Sequence, residues 1–295
     1  MNNPSIELAG IKLKNRVMVA SGTFGYGEEY SELINLNKLG AIITKSVSLN
    51  KRQGNPPPRI CETPSGMLNT IGLQNDGLKE FIEKALPFLS KFDTPVIVNI
   101  AGENAKEFEE LARTLSKENL VKGLEINISC PNVQKGGMQF GCSVLGTEEI
   151  VKIVRSSTEL PIIVKLSPNV TDITEIALTA EKAGADAVSL INTVMGMAVD
   201  VKKKEFGLST KTGGLSGPAI KPIAVRMVWQ VAQVVKIPII GIGGIMTAED
   251  ALEFFMVGAS AVQVGTANFV DVNSAINIIQ DLEKYDLEKL KGILK

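Results

Sequence analysis

The chain has 295 residues, of which 44 % are hydrophobic and 21 % charged, a composition typical of globular rather than disordered proteins. Its 31 basic and 32 acidic residues nearly cancel, which argues against a nucleic-acid partner. The apolar runs are shorter than the roughly 20 residues that cross a bilayer, and no signal-peptide pattern is present, so we expect no membrane association and a cytoplasmic location.

Residues 5–16 alternate in polarity around Ala9-Gly10 and predict a short hairpin. Eight near-continuous apolar runs then predict buried strands, at 17–21, 41–46, 95–101, 123–129, 161–167, 187–193, 238–243 and 261–266. Helix-period segments lie between them, at 28–39, 77–90, 104–118, 147–157, 172–183, 218–235, 247–257 and 271–284. We predict helix N-caps at Asn104, Thr147 and Thr247.

Eight strands alternating with eight helices favour an α/β fold, a closed (β/α)8 TIM barrel, in one domain over residues 1–295. A doubly wound open sheet has the same alternation, but a count of eight with no linker favours the barrel. Residues 47–76 and 194–217 are longer than simple connections need to be, and they follow strands. We therefore expect functional loops at the C-terminal face of the barrel.

Polar residues follow nearly every predicted strand, and in a barrel they share one face. The set comprises Ser21, Lys45, Ser46, Asn99, Asn127, Cys130, Lys165, Ser167, Asn192 and Thr193. One such residue could simply end a strand, but burying the whole set without a ligand would be costly. This face is the predicted active site.

Acid–base chemistry at this face falls to Cys, Lys, Asp, Glu or Tyr, because the chain has no histidine. Cys130 stands beyond a buried strand that Pro131 ends, before the glycines at 136, 137 and 141. That setting favours a reactive thiol over a small buried hydrophobe. Cys61 and Cys142 show no comparable setting, and three scattered cysteines predict neither disulfides nor a metal site.

Lys45 and Lys165 are predicted to emerge from buried strands into the same mouth, where a lysine needs an anionic or electron-rich partner. Three roles stay open: a Schiff-base lysine of an aldolase, a cation beside a reduced flavin, or a salt bridge to a barrel carboxylate. The glycines of Gly243-Gly244 and Gly265-Thr266 precede helices and favour a phosphate site over tight-turn packing. No dinucleotide fingerprint is present.

Four motifs together resemble the dihydroorotate dehydrogenase family: residues 127–132 (NISCPN), 69–75 (NTIGLQN), 214–218 (GLSGP) and 243–244 (GG). The resemblance implies a barrel that binds FMN and oxidises (S)-dihydroorotate to orotate in UMP biosynthesis. It places these residues around FMN: Ser21, Lys45, Ser46, Asn99, Asn127, Lys165, Ile191, Gly217, Gly243, Gly244, Gly265 and Thr266. It places these at the substrate: Lys45, Asn69, Thr70, Ile71, Gly72, Leu73, Asn127, Asn192 and Thr193. Cys130 would be the catalytic base.

Within the family, a cysteine base and the 135–141 sequence (KGGMQFG) resemble the class 1B catalytic subunit. That class implies a homodimer within a heterotetramer, whose iron–sulfur partner carries FAD and a 2Fe–2S cluster and passes electrons to NAD. This chain has no cysteine cluster for iron–sulfur, in agreement with that division. The alternatives are a fumarate-linked class 1A enzyme, another FMN-dependent dihydropyrimidine oxidoreductase and, from another class, a Schiff-base aldolase using Lys165.

Overall fold

The computed structural model describes residues 5–128 and 143–295 of the chain. In chain order the strands are β1 (Ile6–Leu8), β2 (Ile11–Leu13), β3 (Val17–Val19), β4 (Ile42–Ile43), β5 (Ile60–Thr63), β6 (Gly66–Asn69), β7 (Val96–Ile100), β8 (Val121–Asn127), β9 (Ile162–Leu166), β10 (Ala187–Leu190), β11 (Val194–Met197), β12 (Val199–Asp200), β13 (Glu205–Phe206), β14 (Thr212–Ser216), β15 (Ile239–Ile242) and β16 (Ala261–Val264).

The predicted (β/α)8 barrel is confirmed. Strands β3, β4, β7, β8, β9, β10, β15 and β16 pair in parallel, in chain order, and β16 closes the ring by pairing with β3. Their outward side chains pack against the surrounding helices in one large apolar cluster. The strands are near-continuous apolar runs because both faces of each are buried.

The helices are α1 (Glu28–Ser31), α2 (Leu78–Glu80), α3 (Leu86–Leu89), α4 (Ala105–Leu115), α5 (Val144–Arg155), α6 (Ile173–Lys182), α7 (Lys221–Ala232), α8 (Ala248–Met256), α9 (Ala267–Val270), α10 (Ser274–Leu282) and α11 (Leu287–Leu290). The predicted helix 77–90 forms α2 and α3 with a π-helix at Phe81–Ala85 between them, and two other predicted helices are interrupted. Residues 28–39 form only α1 and a 3-10 turn at Leu36–Lys38, which begins where the Asn35 side chain accepts the N–H of Asn37. Residues 271–284 lose their first turn because Asp271 is extended, so α10 begins at Ser274.

Two of the three predicted N-caps are confirmed. Asn104 accepts the N–H of Glu107, and Thr247 forms a capping box with Asp250. The prediction for Thr147 was wrong, because α5 starts earlier in the chain and Ser143 accepts the N–H of Gly146. Across the described ranges, no helix has both the length and the apolar character that crossing a bilayer requires.

The predicted N-terminal hairpin, β1–β2, closes the lower end of the barrel. Leu8, Ile11 and Leu13 pack with the lowest inward-facing layer of barrel side chains, a cluster that includes Met18, Ile43, Ile97, Ile163, Ala187, Ile240 and Ala261. Gly123 lies in the same layer, where an added Cβ would come within 2.8 Å of Ile11 Cδ1. The barrel interior is therefore filled and apolar at this end, and the opposite end is left to carry the site.

The two long connections, residues 47–76 and 194–217, contain β-strands of their own. Strands β5 and β6 from the first pair with β11 and β14 from the second, giving an antiparallel sheet in the order β11-β14-β6-β5. Strands β12 and β13 form a further small hairpin. The sheet follows β4 and β10 in the chain, so it stands at the C-terminal face of the barrel.

Candidate active site

A polar layer lies directly above the apolar floor of the barrel. Residues two apart on a strand point to the same side, so the side chains two positions beyond the apolar layer also face inward. On three strands these positions hold Ala20, Lys45 and Ile242, and on the other five they hold the polar residues Asn99, Glu125, Lys165, Ser189 and Gln263. All five polar residues are buried, and Glu125, Asn99 and Ser189 have no solvent exposure.

The carboxylate of Glu125 is the centre of this layer. Its Oε1 accepts a hydrogen bond from Asn99 Nδ2 at 2.7 Å, and its Oε2 accepts from Gln263 Nε2 at 2.7 Å and Ser189 Oγ at 2.9 Å. Lys165 Nζ lies 3.8 Å from Oε1. Hydrogen-bond donors from three other strands and the ammonium on a fourth thus converge on one buried carboxylate, the arrangement that makes its burial tolerable.

The network continues upward towards the mouth. Ser46 donates to Asn99 Oδ1, and Asn127 Nδ2 donates to Ser46 Oγ at 3.4 Å. On the other side of the layer, Lys165 Nζ donates to Ser21 Oγ at 3.2 Å. Five of the predicted site residues are therefore connected, Ser46, Asn99 and Asn127 by hydrogen bonds and Lys165 with Ser21 through the ion pair with Glu125. Of the three roles left open for Lys165, the salt bridge to a barrel carboxylate is present, and its partner is Glu125.

Glu125, Ser189 and Gln263 are absent from the sequence-based site. The signal was available for Glu125, because it is a carboxylate within an otherwise apolar strand, two residues before Asn127. Its partners could not be read in the same way. They come from strands far apart in the chain, and a lone Ser or Gln in a strand has no distinguishing pattern.

The small antiparallel sheet brings the predicted substrate residues together. Asn69 ends β6 and donates to the Gly214 carbonyl at 3.3 Å, while an added Cβ on Gly214 would clash with the Thr193 side chain. The Thr70 hydroxyl accepts from Asn55 Nδ2 at 2.8 Å. Asn192 accepts the N–H of Thr193 at 2.8 Å. Asn69 and Thr193 therefore both lie against Gly214.

The predicted cofactor glycines divide into two groups. Gly217, Gly243 and Gly244 all have positive φ, and an added Cβ would come within 2.8 Å of other residues at each position. Tight-turn packing is sufficient to explain these three. Gly265 is different, because an added Cβ there would meet nothing nearer than Ala20 Cβ at 3.6 Å. Its neighbour Thr266 donates to Ser216 Oγ at 2.8 Å, joining the end of β16 to β14.

A second charged group borders the mouth around the β3–α1 connection. Burial raises the pKa of Tyr26 to about 12, and the negative charge of Asp76 acts in the same direction. The Tyr26 hydroxyl is buried and has no hydrogen-bond partner among the described residues. The Lys51 ammonium, 2.8 Å from Asp76, holds the pKa of that carboxyl below its usual range, and the charge of Lys45 contributes. Lys45 therefore lies within electrostatic reach of Asp76.

Cys130 and its glycine-rich loop lie outside the described residues, although Asn127, the last residue of β8, is described. Ile191 follows β10, and its N–H donates to Ile242 on β15 at 2.9 Å. Cys61 is half-buried in β5. Within 5–128 and 143–295, no group of three or more His, Cys, Asp or Glu side chains is placed to hold a metal ion.

Comparison with known proteins agrees with the motifs. A family model described as dihydroorotate dehydrogenase matches residues 5–285. The relative from Geobacter sulfurreducens, named dihydroorotate dehydrogenase B (NAD(+)), catalytic subunit, is 59 % identical and covers 99 % of this chain and 98 % of its own length. Relatives of the same name from Geotalea uraniireducens and Bacteroides thetaiotaomicron are 58 % and 52 % identical. They cover 98 % and 97 % of this chain, and 97 % and 94 % of their own lengths.

The fold has a close counterpart among solved structures. A DHODH from Eimeria tenella, crystallised in complex with ferulenol, superposes with a TM-score of 0.81 over 99 % of this chain and 89 % of that one. At 22 % sequence identity this match supports the barrel fold alone and carries no conclusion about function. The family model and the relatives above 50 % identity carry the further conclusion, and they confirm what the motifs predicted: the chain belongs to the dihydroorotate dehydrogenase family.

Proposed function

We propose that the chain oxidises (S)-dihydroorotate to orotate in pyrimidine biosynthesis, as the catalytic subunit of an NAD-linked enzyme. The names of the relatives support this reaction and this division of labour. The structural observation that carries the proposal is the polar network of Ser21, Ser46, Asn99, Asn127 and Lys165 at the strand ends, whose hydrogen bonds are linked through Glu125 and its ion pair with Lys165. It combines a cation with neutral amides, which suits a heteroaromatic ring and a cyclic amide substrate.

We propose FMN as the cofactor, and the residues present fit it. Lys165 supplies a buried positive charge, and Gly265 leaves its backbone open after the last barrel strand, where barrel enzymes often bind phosphate. The full set that would hold FMN is Ser21, Lys45, Ser46, Asn99, Asn127, Lys165, Ile191, Gly217, Gly243, Gly244, Gly265 and Thr266. When bound, FMN supplies the hydride acceptor for C6 of the substrate.

The chain's own side chains account for the rest of the reaction. Cys130 removes the proton from C5 as catalytic base. The amides of Asn127 and Asn192 hold the carbonyl and N–H edges of the substrate ring, and Lys45 meets its carboxylate. The segment from Asn69 to Leu73 and the hydroxyl of Thr193 complete the substrate site. Lys165 opposes negative charge on the flavin ring.

We further propose that one domain, residues 1–295, carries these steps, and that a second subunit completes the enzyme. The words "catalytic subunit" in the relatives' names support a partner. An iron–sulfur partner with FAD would pass the electrons to NAD, and a homodimer of this chain would form the centre of the heterotetramer. The cytoplasmic location stays a prediction.

The test is an anaerobic absorbance spectrum of the purified chain, recorded before and after dihydroorotate is added. We expect a yellow protein whose flavin bands bleach with substrate. Dihydrouracil, which lacks the carboxylate, serves as the matched control and should bleach the bands far more slowly.

Other results would point to the alternatives. Bound FMN that stays oxidised with dihydroorotate but bleaches with another dihydropyrimidine would replace the substrate. A protein that takes up no FMN, and whose Lys165 is trapped by borohydride with a carbonyl substrate, would instead favour the aldolase. Turnover with fumarate as acceptor would support the class 1A branch.

A further inference from the structure

Glu125 has no role in the reaction described so far, yet it contacts two residues of the proposed site, Asn99 and Lys165. Its two oxygens together accept from Asn99, Ser189 and Gln263 and face Lys165. Three hydrogen-bond donors and the ammonium of Lys165 surround these oxygens, an environment that favours the ionised carboxylate. A buried negative charge therefore lies directly below the residues proposed to surround the flavin.

The geometry constrains the side chains above it. Asn99 gives its amide nitrogen to Glu125 and its oxygen to Ser46, so the amide has one orientation in the network. Ser46 in turn accepts from Asn127. Lys165 is held between Glu125 and Ser21. Removing the carboxylate would remove the hydrogen bond and the ion pair that fix the positions of Asn99 and Lys165.

The charge has an effect of its own. Glu125 lies 3.8 Å from Lys165, and its negative potential opposes the positive potential of the ammonium in the space above them, more strongly in a buried site of low dielectric than in water. A flavin beside Lys165 therefore experiences the pair and not an isolated ammonium. Since reduction adds negative charge to the ring, a nearby carboxylate makes reduction less favourable.

We propose that Glu125 is a positioning residue for Lys165, Asn99 and, through Ser46, Asn127, and that its charge lowers the reduction potential of bound FMN. The proposal rests on the proposed function above. Glu125 would thus set how easily substrate electrons enter the flavin without touching flavin or substrate.

The test uses Glu125→Gln in the full chain loaded with FMN, by spectroelectrochemical titration. The variant keeps the shape of the side chain but removes its charge and presents an NH₂ to a neighbouring donor. We expect the reduced-to-oxidised ratio at a fixed potential to rise about tenfold, which is a positive shift of about 30 mV for a two-electron couple. The rate of flavin reduction by dihydroorotate should fall, because Lys165 and Asn127 lose their supports.

Two further comparisons separate charge from structure. Ser189→Ala removes one donor to Glu125 but keeps the charge, so its ratio should stay within about twofold of wild type while the melting temperature of the FMN-free protein falls. Lys165→Met and the double variant Glu125→Gln/Lys165→Met form a second pair, with the charge of Glu125 present in one and absent in the other. At the same potential, the double variant should have a higher reduced-to-oxidised ratio than Lys165→Met.

Each outcome decides the proposal. An unchanged ratio in Glu125→Gln, with a lower melting temperature, would reduce Glu125 to a structural residue and overturn it. If Glu125→Gln does not fold, the comparison between Lys165→Met and the double variant gives the answer. A wild-type chain that binds no FMN would refute the proposed function, and this inference with it. A chain that binds FMN and oxidises dihydroorotate, but whose reduction potential is the same with and without the charge of Glu125, would refute this inference alone.

Discussion

Glu125 shows at the scale of one residue why a charged side chain can occupy the interior of a barrel. Its carboxylate has no solvent exposure and is surrounded by donors from Asn99, Ser189 and Gln263, with Lys165 alongside. Deleting one member of such a buried pair typically costs about 3–5 kcal/mol, because the other charge stays buried. A buried ion pair is costly to break, but it does not by itself make the fold more stable than apolar packing would. Its presence is better explained by a role in the polar site that lies above it in the barrel.

Cys130 carries the first residue-scale prediction. Replacing Cys130 by Ala should slow flavin reduction by dihydroorotate by ~10²–10⁴-fold and leave FMN bound, because the base is lost while the cofactor contacts are kept. Anaerobic stopped-flow absorbance measures the rate. Cys61→Ala is the matched control, since Cys61 lies in β5 and has no assigned role, and it should react at the wild-type rate. A Cys130→Ala protein that is equally fast would remove this thiol from the mechanism.

The second residue-scale prediction concerns Gly265 and Gly244. Substitution by alanine should weaken FMN binding at Gly265 and lower the stability of the FMN-free protein at Gly244. In Gly265→Ala the protein has room for the Cβ, so the FMN-free form should keep its stability within about 0.5 kcal/mol. Crowding of the cofactor should cost about 1–3 kcal/mol of FMN affinity, or roughly 5- to 150-fold.

Gly244→Ala should instead destabilise the FMN-free protein by about 1–3 kcal/mol. Its φ is +71°, and the added Cβ would lie 2.8 Å from the Gly217 carbonyl oxygen. Chemical unfolding and fluorescence titration with FMN distinguish the two variants. If Gly265→Ala bound FMN as tightly as wild type, the cofactor phosphate would have to be sought elsewhere.

At the scale of elements, α7 and α8 are joined where the Gly243-Gly244 loop turns. Lys221, the first residue of α7, contacts Asp250 and Glu253 of α8, each at 2.6 Å. Hydrogen bonds to Asp250 and then Glu253 raise the pKa of Lys221. Burial disfavours ionisation of Asp250, but the hydrogen bond from Lys221 and the N–H groups of Met246 and Thr247 outweigh it and lower its pKa.

These shifts give a pH-dependent prediction for Lys221→Met. We expect the variant to lose about 1 kcal/mol of unfolding free energy near neutral pH. A lowered pKa for Asp250 stabilises the fold above the unfolded value of 3.8, and this part is lost as pH falls through the folded pKa. The raised pKa of Lys221 contributes fully below 10.5 and is lost as pH rises through its folded pKa.

The difference between wild type and Lys221→Met should therefore be largest between these limits and shrink at both ends. Urea unfolding across the pH range measures it. Lys203→Met is the control, since Lys203 is 72 % exposed and pairs with Asp200 at 3.8 Å, and it should change little at any pH. A loss for Lys221→Met that is equal at acid and neutral pH would exclude the ionic origin.

Elements differ in how well the sequence predicts them. The eight barrel strands were predictable because each is a local apolar run, and Asn104 and Thr247 because capping is local. The sheet β11-β14-β6-β5 was not. Its strands contain Gly, Thr and Asn and are half exposed, and the central pairing, β14 with β6, joins residues that lie more than a hundred positions apart in the chain.

For the whole molecule, FMN should act as a structural ligand as well as a cofactor. At a free concentration one hundred times its dissociation constant, it should add about 2.7 kcal/mol to the unfolding free energy. Riboflavin, which lacks the phosphate, should add much less at the same concentration. Thermal unfolding of the FMN-free chain with each compound measures the difference. Equal stabilisation would show that the phosphate makes no favourable contact.

The strand-end residues of the candidate site could be predicted from the sequence, but the polar layer beneath them could not. Strand ends such as Asn99, Asn127 and Lys165 were identifiable because a barrel collects them at one face. The contacts beneath them depend on which inward-facing residues meet across the barrel, and that follows from closure and register rather than from any local pattern.

The hydrogen bonds of Glu125 also bear on the order of assembly. Its hydrogen-bond donors come from β7, β10 and β16, its ion-pair partner Lys165 comes from β9, and β16 completes the ring by pairing with β3. An incomplete barrel would hold a desolvated carboxylate that lacks part of its compensation. Asn99, Lys165 and Ser189 lie within the run β7–β10 that also contains Glu125, whereas Gln263 lies on β16. Closure of the ring therefore supplies the last hydrogen bond that compensates the buried carboxylate.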